Sequence, residues 1–299
     1  MVVQVSVSGG KGGTGKSFVA TNLAVLMARR GYRVVLADLD VEAPNDHILL
    51  GLKKLESEAP VEIFFPFIDY SKCTKCGVCA KVCDTGAIVM SKNTPPFILP
   101  RLCSGCKACL AACPEKAILA DGRRVVGYSY STIVEGDGFK LRLITGVLRE
   151  GEEHTPPVVR VVKNRALREA EGSDLLLVDT GPGTGNHISM SIQGSRLLIA
   201  VTEATPLGLH DVKAILETAQ GMKIKVWMVI NRVGLGREEP LLKLAEEYSV
   251  ARVFRIPYSR RAVQAYVEGR PVAIAYPDDP ASKALVEIAN AVEDEVSQK

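Results

Sequence analysis

The chain has 299 residues, 47% of them hydrophobic and 24% charged, with a formal net charge of +3. These proportions belong to a globular chain with a sizeable core, and the charge is too weak to argue for nucleic acid or an anionic membrane as a partner. Aromatics are scarce at 5%, no apolar run reaches the ~18 residues of a spanning helix, and residues 1–5 lack the layout of a signal peptide, so a cytoplasmic protein without a membrane anchor is expected.

Residues 2–7 alternate β-branched and polar side chains, which predicts a strand. It runs into Ser8-Gly9-Gly10-Lys11-Gly12-Gly13-Thr14-Gly15-Lys16-Ser17, and from Gly10 onward this reads G-x4-G-K-S, a P-loop. Glycines let backbone N–H groups converge on phosphate oxygens without side chains in the way. Lys16 is the candidate for neutralising the β- and γ-phosphates, and the Ser17 hydroxyl for binding Mg²⁺. The phosphates would sit at the N-terminus of a helix over 16–30, with Val19, Leu23, Leu26 and Met27 on one face and Gly31 as its stop. The expected nucleotide contacts are Gly10, Lys11, Gly12, Gly13, Thr14, Gly15, Lys16, Ser17 and Phe18.

Residues 32–37 predict a buried strand ending in Asp38-Leu39-Asp40, and carboxylates at a strand's C-terminal edge fall where ligands bind in open α/β sheets. Residues 174–179 predict another, ending in Asp179, a candidate Mg²⁺ ligand. The flexible run Thr180-Gly181-Pro182-Gly183-Thr184-Gly185 follows it.

All eight cysteines lie between Cys73 and Cys113, in two runs of spacing C-x2-C-x2-C-x3-C: Cys73, Cys76, Cys79, Cys83 and Cys103, Cys106, Cys109, Cys113. The two runs repeat with a period of 30, and the repeat extends beyond the cysteines, since Ala87-Ile88-Val89 matches Ala117-Ile118-Leu119. Disulfides suit small secreted domains rather than a long chain of this kind. Zinc would want four thiolates in two close pairs. The repeated triplet, with a fourth cysteine followed by Pro114 in the second run, fits iron–sulfur clusters better. Each half is expected to hold a short helix after its third cysteine and a short strand after its fourth. Residues 66–120 carry seven Lys or Arg and three Asp or Glu, a formal +4 that anionic clusters would offset or an acidic redox partner would meet.

Residues 123–145 predict a hairpin around Gly136-Asp137-Gly138, and a helix is expected from Pro156-Pro157 to Glu171. The remainder alternates strand and helix at 197–201, 209–220, 225–230, 239–248 and 253–256, a doubly wound, mostly parallel sheet with helices on both faces. An amphipathic helix over 281–296 carries Leu285, Ile288, Ala289, Val292 and Val296 on one side. Its Glu287, Glu293, Asp294 and Glu295 argue for packing on the domain rather than on lipid. The four histidines are scattered and are assigned structural roles.

The run K-G-G-x-G-K-S with its extra Lys11 resembles the deviant Walker A of the MinD/ParA/nitrogenase-iron-protein superfamily. The resemblance implies a P-loop ATPase fold and an ATP-sandwich homodimer, with Lys11 reaching the partner's nucleotide. It implies Lys11, Lys16, Asp40 and Asp179 as catalytic residues. Asp40 would orient the attacking water, and Ser17, Asp38, Asp40 and Asp179 would surround Mg²⁺. It makes 180–185 a nucleotide-sensing switch, Asn231 and Arg232 the adenine-recognising position, and Pro257 a second base contact.

The cysteine runs resemble bacterial two-cluster ferredoxins, which implies crossed ligation: one [4Fe-4S] on Cys73, Cys76, Cys79 and Cys113, the other on Cys83, Cys103, Cys106 and Cys109. Cys83 is followed by Asp84 rather than Pro, a departure that removes no ligand. The chain is thus expected to be an ATPase at 1–60 and 122–299 with a small α+β ferredoxin-like domain inserted at 61–121, most like the MinD/Mrp group. It has no cysteine after Cys113, so it lacks the C-terminal C-x-x-C of Mrp-type carriers and the ATPase-domain cysteines of the nitrogenase iron protein. Electron transfer to a protein partner, cluster assembly or delivery to an acceptor, and spatial organisation with redox-sensing clusters remain as functions to separate.

Overall fold

The computed structural model describes residues 2–183, 185–234 and 236–298; Thr184 of the expected switch lies outside them. In chain order the elements are β1 (Val3–Ser8), α1 (Lys16–Arg29), β2 (Val34–Leu39), α2 (Asp46–Leu49), β3 (Ala59–Phe64), α3 (Val78–Lys81), β4 (Ile88–Val89), β5 (Phe97–Ile98), α4 (Ala108–Ala112), β6 (Arg123–Gly136) and β7 (Phe139–Leu148). Then come α5 (Thr155–Glu169), β8 (Leu175–Thr180), α6 (Asn186–Ile192), β9 (Leu197–Glu203), α7 (Pro206–Gly221), β10 (Lys225–Val233), α8 (Glu239–Glu247), β11 (Arg252–Pro257), α9 (Arg260–Val267), α10 (Val272–Ala275) and α11 (Pro280–Ser297). Two compact units form. The larger is Met1–Glu58, Ser129–Val147 and Val159–Lys299; the smaller is Ala59–Tyr128 with Leu148–Val158. The smaller unit thus takes in the start of β6 and of α5, beyond the expected limits of 61–121.

In the larger unit the strand order is β11-β10-β9-β1-β8-β2-β7, with β6 beyond β7. Every pair from β11 to β7 is parallel. The chain leaves β1 for β2 on one side, and β8 leads to β9 on the other. The crevice that follows from this reversal opens at the C-terminal end of β1, where such sheets bind ligands. β6 and β7 are joined through Asp137-Gly138, both at positive φ, the turn that suits a two-residue hairpin.

Alternate residues of one strand feed two cores. Leu197, Ile199 and Val201 of β9 join α1, α10 and α11 on one face, while Leu198 and Ala200 join α6, α7 and α8 on the other. With both faces covered, β1 is buried throughout, Gln4 and Ser6 included, so its polar alternation does not mark a solvent face. Helix α1 shows the same effect: burial runs without a break from Val19 to Ala28 rather than along the expected stripe. The expected helix after Pro156-Pro157 begins at Thr155, with both prolines in its first turn, where their missing N–H groups cost nothing. Helix α11 packs as expected, with Leu285, Ile288, Ala289 and Val292 fully buried. One of its acidic residues, Glu295, is buried too, because Lys225 and Arg196 neutralise it. Among the described residues no helix is long and apolar enough to cross a membrane.

The smaller unit has a slight core of Phe64, Ile88, Cys109 and Ile118, bordered by Cys79, Cys83 and Cys113. Its halves repeat in backbone as well as in sequence. Helices α3 and α4 begin one residue before the third cysteine of each run rather than after it. The strand after Cys83 is β4, paired with β5, whereas after Cys113 only Ile118 bridges, to Ile68. Three pairs of positions 30 apart share a left-handed backbone: Lys75 and Gly105, Gly77 and Lys107, Gly86 and Lys116. In each pair one half has glycine and the other lysine. A side chain in this conformation costs about 1 kcal/mol relative to glycine.

Candidate functional site

The loop from β1 to α1 is held against β10. Gly15 has φ 97°, and a Cβ there would lie 2.2 Å from Asn231 Nδ2, so only glycine fits. That amide donates to the Thr14 carbonyl at 2.8 Å, and Asn231 Oδ1 accepts from the Arg232 N–H at 2.9 Å. The side chain expected to meet the base is thus engaged with the phosphate loop. Arg232 has φ 53° and its guanidinium pairs with Glu203. Pro257 lies beside Val233 at the end of β11. The Phe18 ring packs against the core, while Gly12 and Gly13 face open space.

Lys16 is buried, and its Nζ donates to the Lys11 carbonyl at 3.4 Å. The Ser17 hydroxyl donates to Asp179 Oδ2 at 2.5 Å, joining the start of α1 to the end of β8. Thr180 donates to Ser8 Oγ at 3.0 Å, tying the start of the glycine run to β1. His187 contacts the Pro182 carbonyl at 3.2 Å, within that run. Lys163 of α5 donates to the carbonyls of Met190 (2.7 Å) and Gln193, a cation on the unpaired carbonyls that end α6. Burial lowers its pKa to about 8.

Asp38, Asp40 and Asp179 come close together, and Asp46 joins them. Asp38 is fully buried and accepts from the N–H groups of Asp40 (3.1 Å), Asn45 (3.0 Å) and Asp46 (3.1 Å). This carboxylate therefore shapes the turn into α2. Burial, then the charge of Asp179, pushes its pKa well above the usual range. Burial also raises Asp40, which Lys16 partly offsets. Asp179 is pushed up to about 7 by burial, against the pull of Lys16 and Ser17. The carboxyls of Asp46 and Asp179 Oδ1 have no hydrogen-bond partner among the described residues. Buried, unpaired carboxylate oxygens beside a P-loop hydroxyl fit a hard cation with oxygen ligands. Asp46 escapes a sequence reading because nothing in its spacing from Asp38 marks it; the turn that Asp38 caps brings it back.

In the smaller unit the eight sulfurs sort into two cavities. One is lined by Cys73, Cys76, Cys79 and Cys113. The other is lined by Cys83, Cys103, Cys106 and Cys109. The fourth cysteine of each run thus lines the cavity of the other run. Cys113 Sγ accepts from the Ala117 N–H at 3.3 Å. Burial raises the thiol pKa of Cys109 to about 11 and also raises Cys79 and Cys103. For Cys83 burial is outweighed by the Thr85 hydroxyl and by the N–H groups of Ile88, Ala87 and Thr85, and its pKa falls. Arg124, absent from the expected site, donates to the Cys103 carbonyl at 3.0 Å and pairs with Glu152. Four convergent thiols in each of two cavities fit two metal–sulfur groups of one kind.

A family model for the CobQ/CobB/MinD/ParA nucleotide binding domain matches residues 5–272. An uncharacterized protein of Methanocaldococcus jannaschii is 31% identical over 265 residues, covering 89% of each chain. The iron-sulfur cluster carrier protein of Pyrococcus horikoshii is 26% identical over 301 residues, covering 96% of this chain and 84% of that one. Among solved structures, the septum site-determining protein MinD of Pyrococcus horikoshii, complexed with Mg-ADP, superposes with a TM-score of 0.63 at 17% identity, over 98% of this chain and 96% of that one. A P-loop on β1, aspartates at the ends of β2 and β8, and this family match agree: the chain belongs to the CobQ/CobB/MinD/ParA family of nucleotide-binding domains.

Proposed function

We propose that the protein couples its nucleotide state to electron transfer through two [4Fe-4S] clusters held by the smaller unit, acting on a protein partner. The sorting of eight cysteines into two cavities of crossed membership carries this reading. Bound clusters would supply one-electron chemistry. The chain's own residues would do the rest. Gly10 to Ser17 hold the phosphates, and Lys11 and Lys16 oppose the charge that develops on the transferring phosphoryl group. Asp40 positions water. Ser17, Asp38, Asp40 and Asp179 would hold Mg²⁺. The dimer that Lys11 implies would place two such sites face to face.

A second reading, ATP-dependent delivery of clusters to an acceptor, is favoured by the name of the Pyrococcus horikoshii relative and by the exposure of Cys76 and Cys106. Four protein thiolates per cavity favour retention, and so the first reading. An anaerobic redox titration followed by EPR, with and without MgATP, decides between them. Electron transfer predicts two clusters per chain and potentials that move with MgATP. Unchanged potentials, together with clusters lost to an added apo-protein, would favour delivery. In the same titration Cys83→Ser is expected to perturb the cluster of Cys103, Cys106 and Cys109, not that of its own run.

A further inference from the structure

Asp38, Asp46 and Asp179 are fully buried, and one oxygen of each lies within 4.8 Å of the other two. They come from three places: the end of β2, the first residue of α2 and the end of β8. The N–H groups of Asn45 and Asp46 both donate to Asp38 Oδ2, so the contacts that orient Asp38 also bring Asp46 inward. Both oxygens of Asp46, and Oδ1 of Asp179, lack a partner among the described residues. Burying carboxylates without compensation is costly, and a divalent cation coordinated by their oxygens removes that cost.

We propose that Asp46, with Asp38 and Asp179, forms a divalent-cation site that fills before nucleotide binds. The ion is then already in place when phosphates reach the P-loop. This rests on the metal part of the functional reading. It adds Asp46 as a ligand, and it makes loading independent of nucleotide, since all three carboxylates belong to the protein.

The test uses the nucleotide-free, cluster-loaded full chain and Mn²⁺ as the probe, with free Mn²⁺ counted by room-temperature EPR. One Mn²⁺ per chain is expected to bind without nucleotide, and Asp46→Asn is expected to weaken it tenfold or more. A surface control, Asp69→Asn, should leave binding unchanged. Mn²⁺ that binds only once ADP is added, or equally well to Asp46→Asn, overturns the proposal and leaves the nucleotide-linked metal reading intact. Absence of binding with and without ADP would remove that reading as well. A calorimetric melt of the unaltered chain supplies a readout that needs no variant: Mn²⁺ without nucleotide should raise the melting temperature over EDTA, and equal temperatures count against the site.

Discussion

In the larger unit, Lys16 and its aspartates stand at the ends of β1, β2 and β8, three strands buried along their whole length by helices on both faces. In the smaller unit a cysteine, Cys109, sits within the buried cluster of Phe64, Ile88 and Ile118, and Cys79, Cys83 and Cys113 border it. The nucleotide site is therefore built by the fold, whereas the cysteine site is a large part of what the fold consists of. Where cysteines form part of the core, two metal groups of four thiolates each would act as staples. The difference teaches which unit survives the loss of its ligand.

The widest separation is expected on anaerobic removal of iron by a chelator. Amides of Ile88 and Ile118 should lose hydrogen-exchange protection by about 100-fold or more, while those of Ile199 and Val229 keep theirs. Equal loss in both units would erase the distinction. Next, Lys16→Ala should lower phosphate release by roughly 10²–10³-fold, since a buried cation is withdrawn from the developing charge. Its iron content should stay unchanged, and a fall in iron would mean that the units do not stand apart.

The pH dependence without metal is smaller. Asp179 keeps its proton to about 7, and Asp38 and Asp46 are raised in the same direction. Between about pH 4 and 7 the folded chain thus binds more protons than the unfolded one, and stability falls as pH rises through that window. Urea unfolding in EDTA, followed by circular dichroism, should show the midpoint dropping from pH 5 to pH 8. Asp179→Asn should flatten the slope, and so should Mg²⁺, which competes with the protons. The smallest effect belongs to the smaller unit. Lys75→Gly, Lys107→Gly and Lys116→Gly each relieve a left-handed side chain, and each should stabilise that unit by up to about 1 kcal/mol, read from cluster bleaching in denaturant.

What the sequence reveals here is mostly chemistry with a fixed spacing. The P-loop, Asp38-Leu39-Asp40, Asp179 and both cysteine runs are local patterns; the first three lie at the ends of β1, β2 and β8, and the cysteines line two cavities. Less visible are groups recruited by tertiary contact. Asp46 acts because Asp38 caps a turn, Arg124 because it reaches the Cys103 carbonyl, and Lys163 because α5 runs past the end of α6. Amphipathic reading fails where nothing is left exposed. Helix α1 and strand β1 look one-sided in sequence, yet both are buried all round. Short elements such as α9 and α10, of eight and four residues, go unseen for want of length.

The chain contains a single tryptophan, Trp227 in β10. It is fully buried, tilted against Phe254 at 5.5 Å, with the Arg252 guanidinium 5.2 Å from its ring. Its ultraviolet emission therefore belongs to the larger unit alone. The visible absorption of bound iron and sulfur would belong to the smaller one. Two colours, read in one cuvette and without a label, would report on the two units separately.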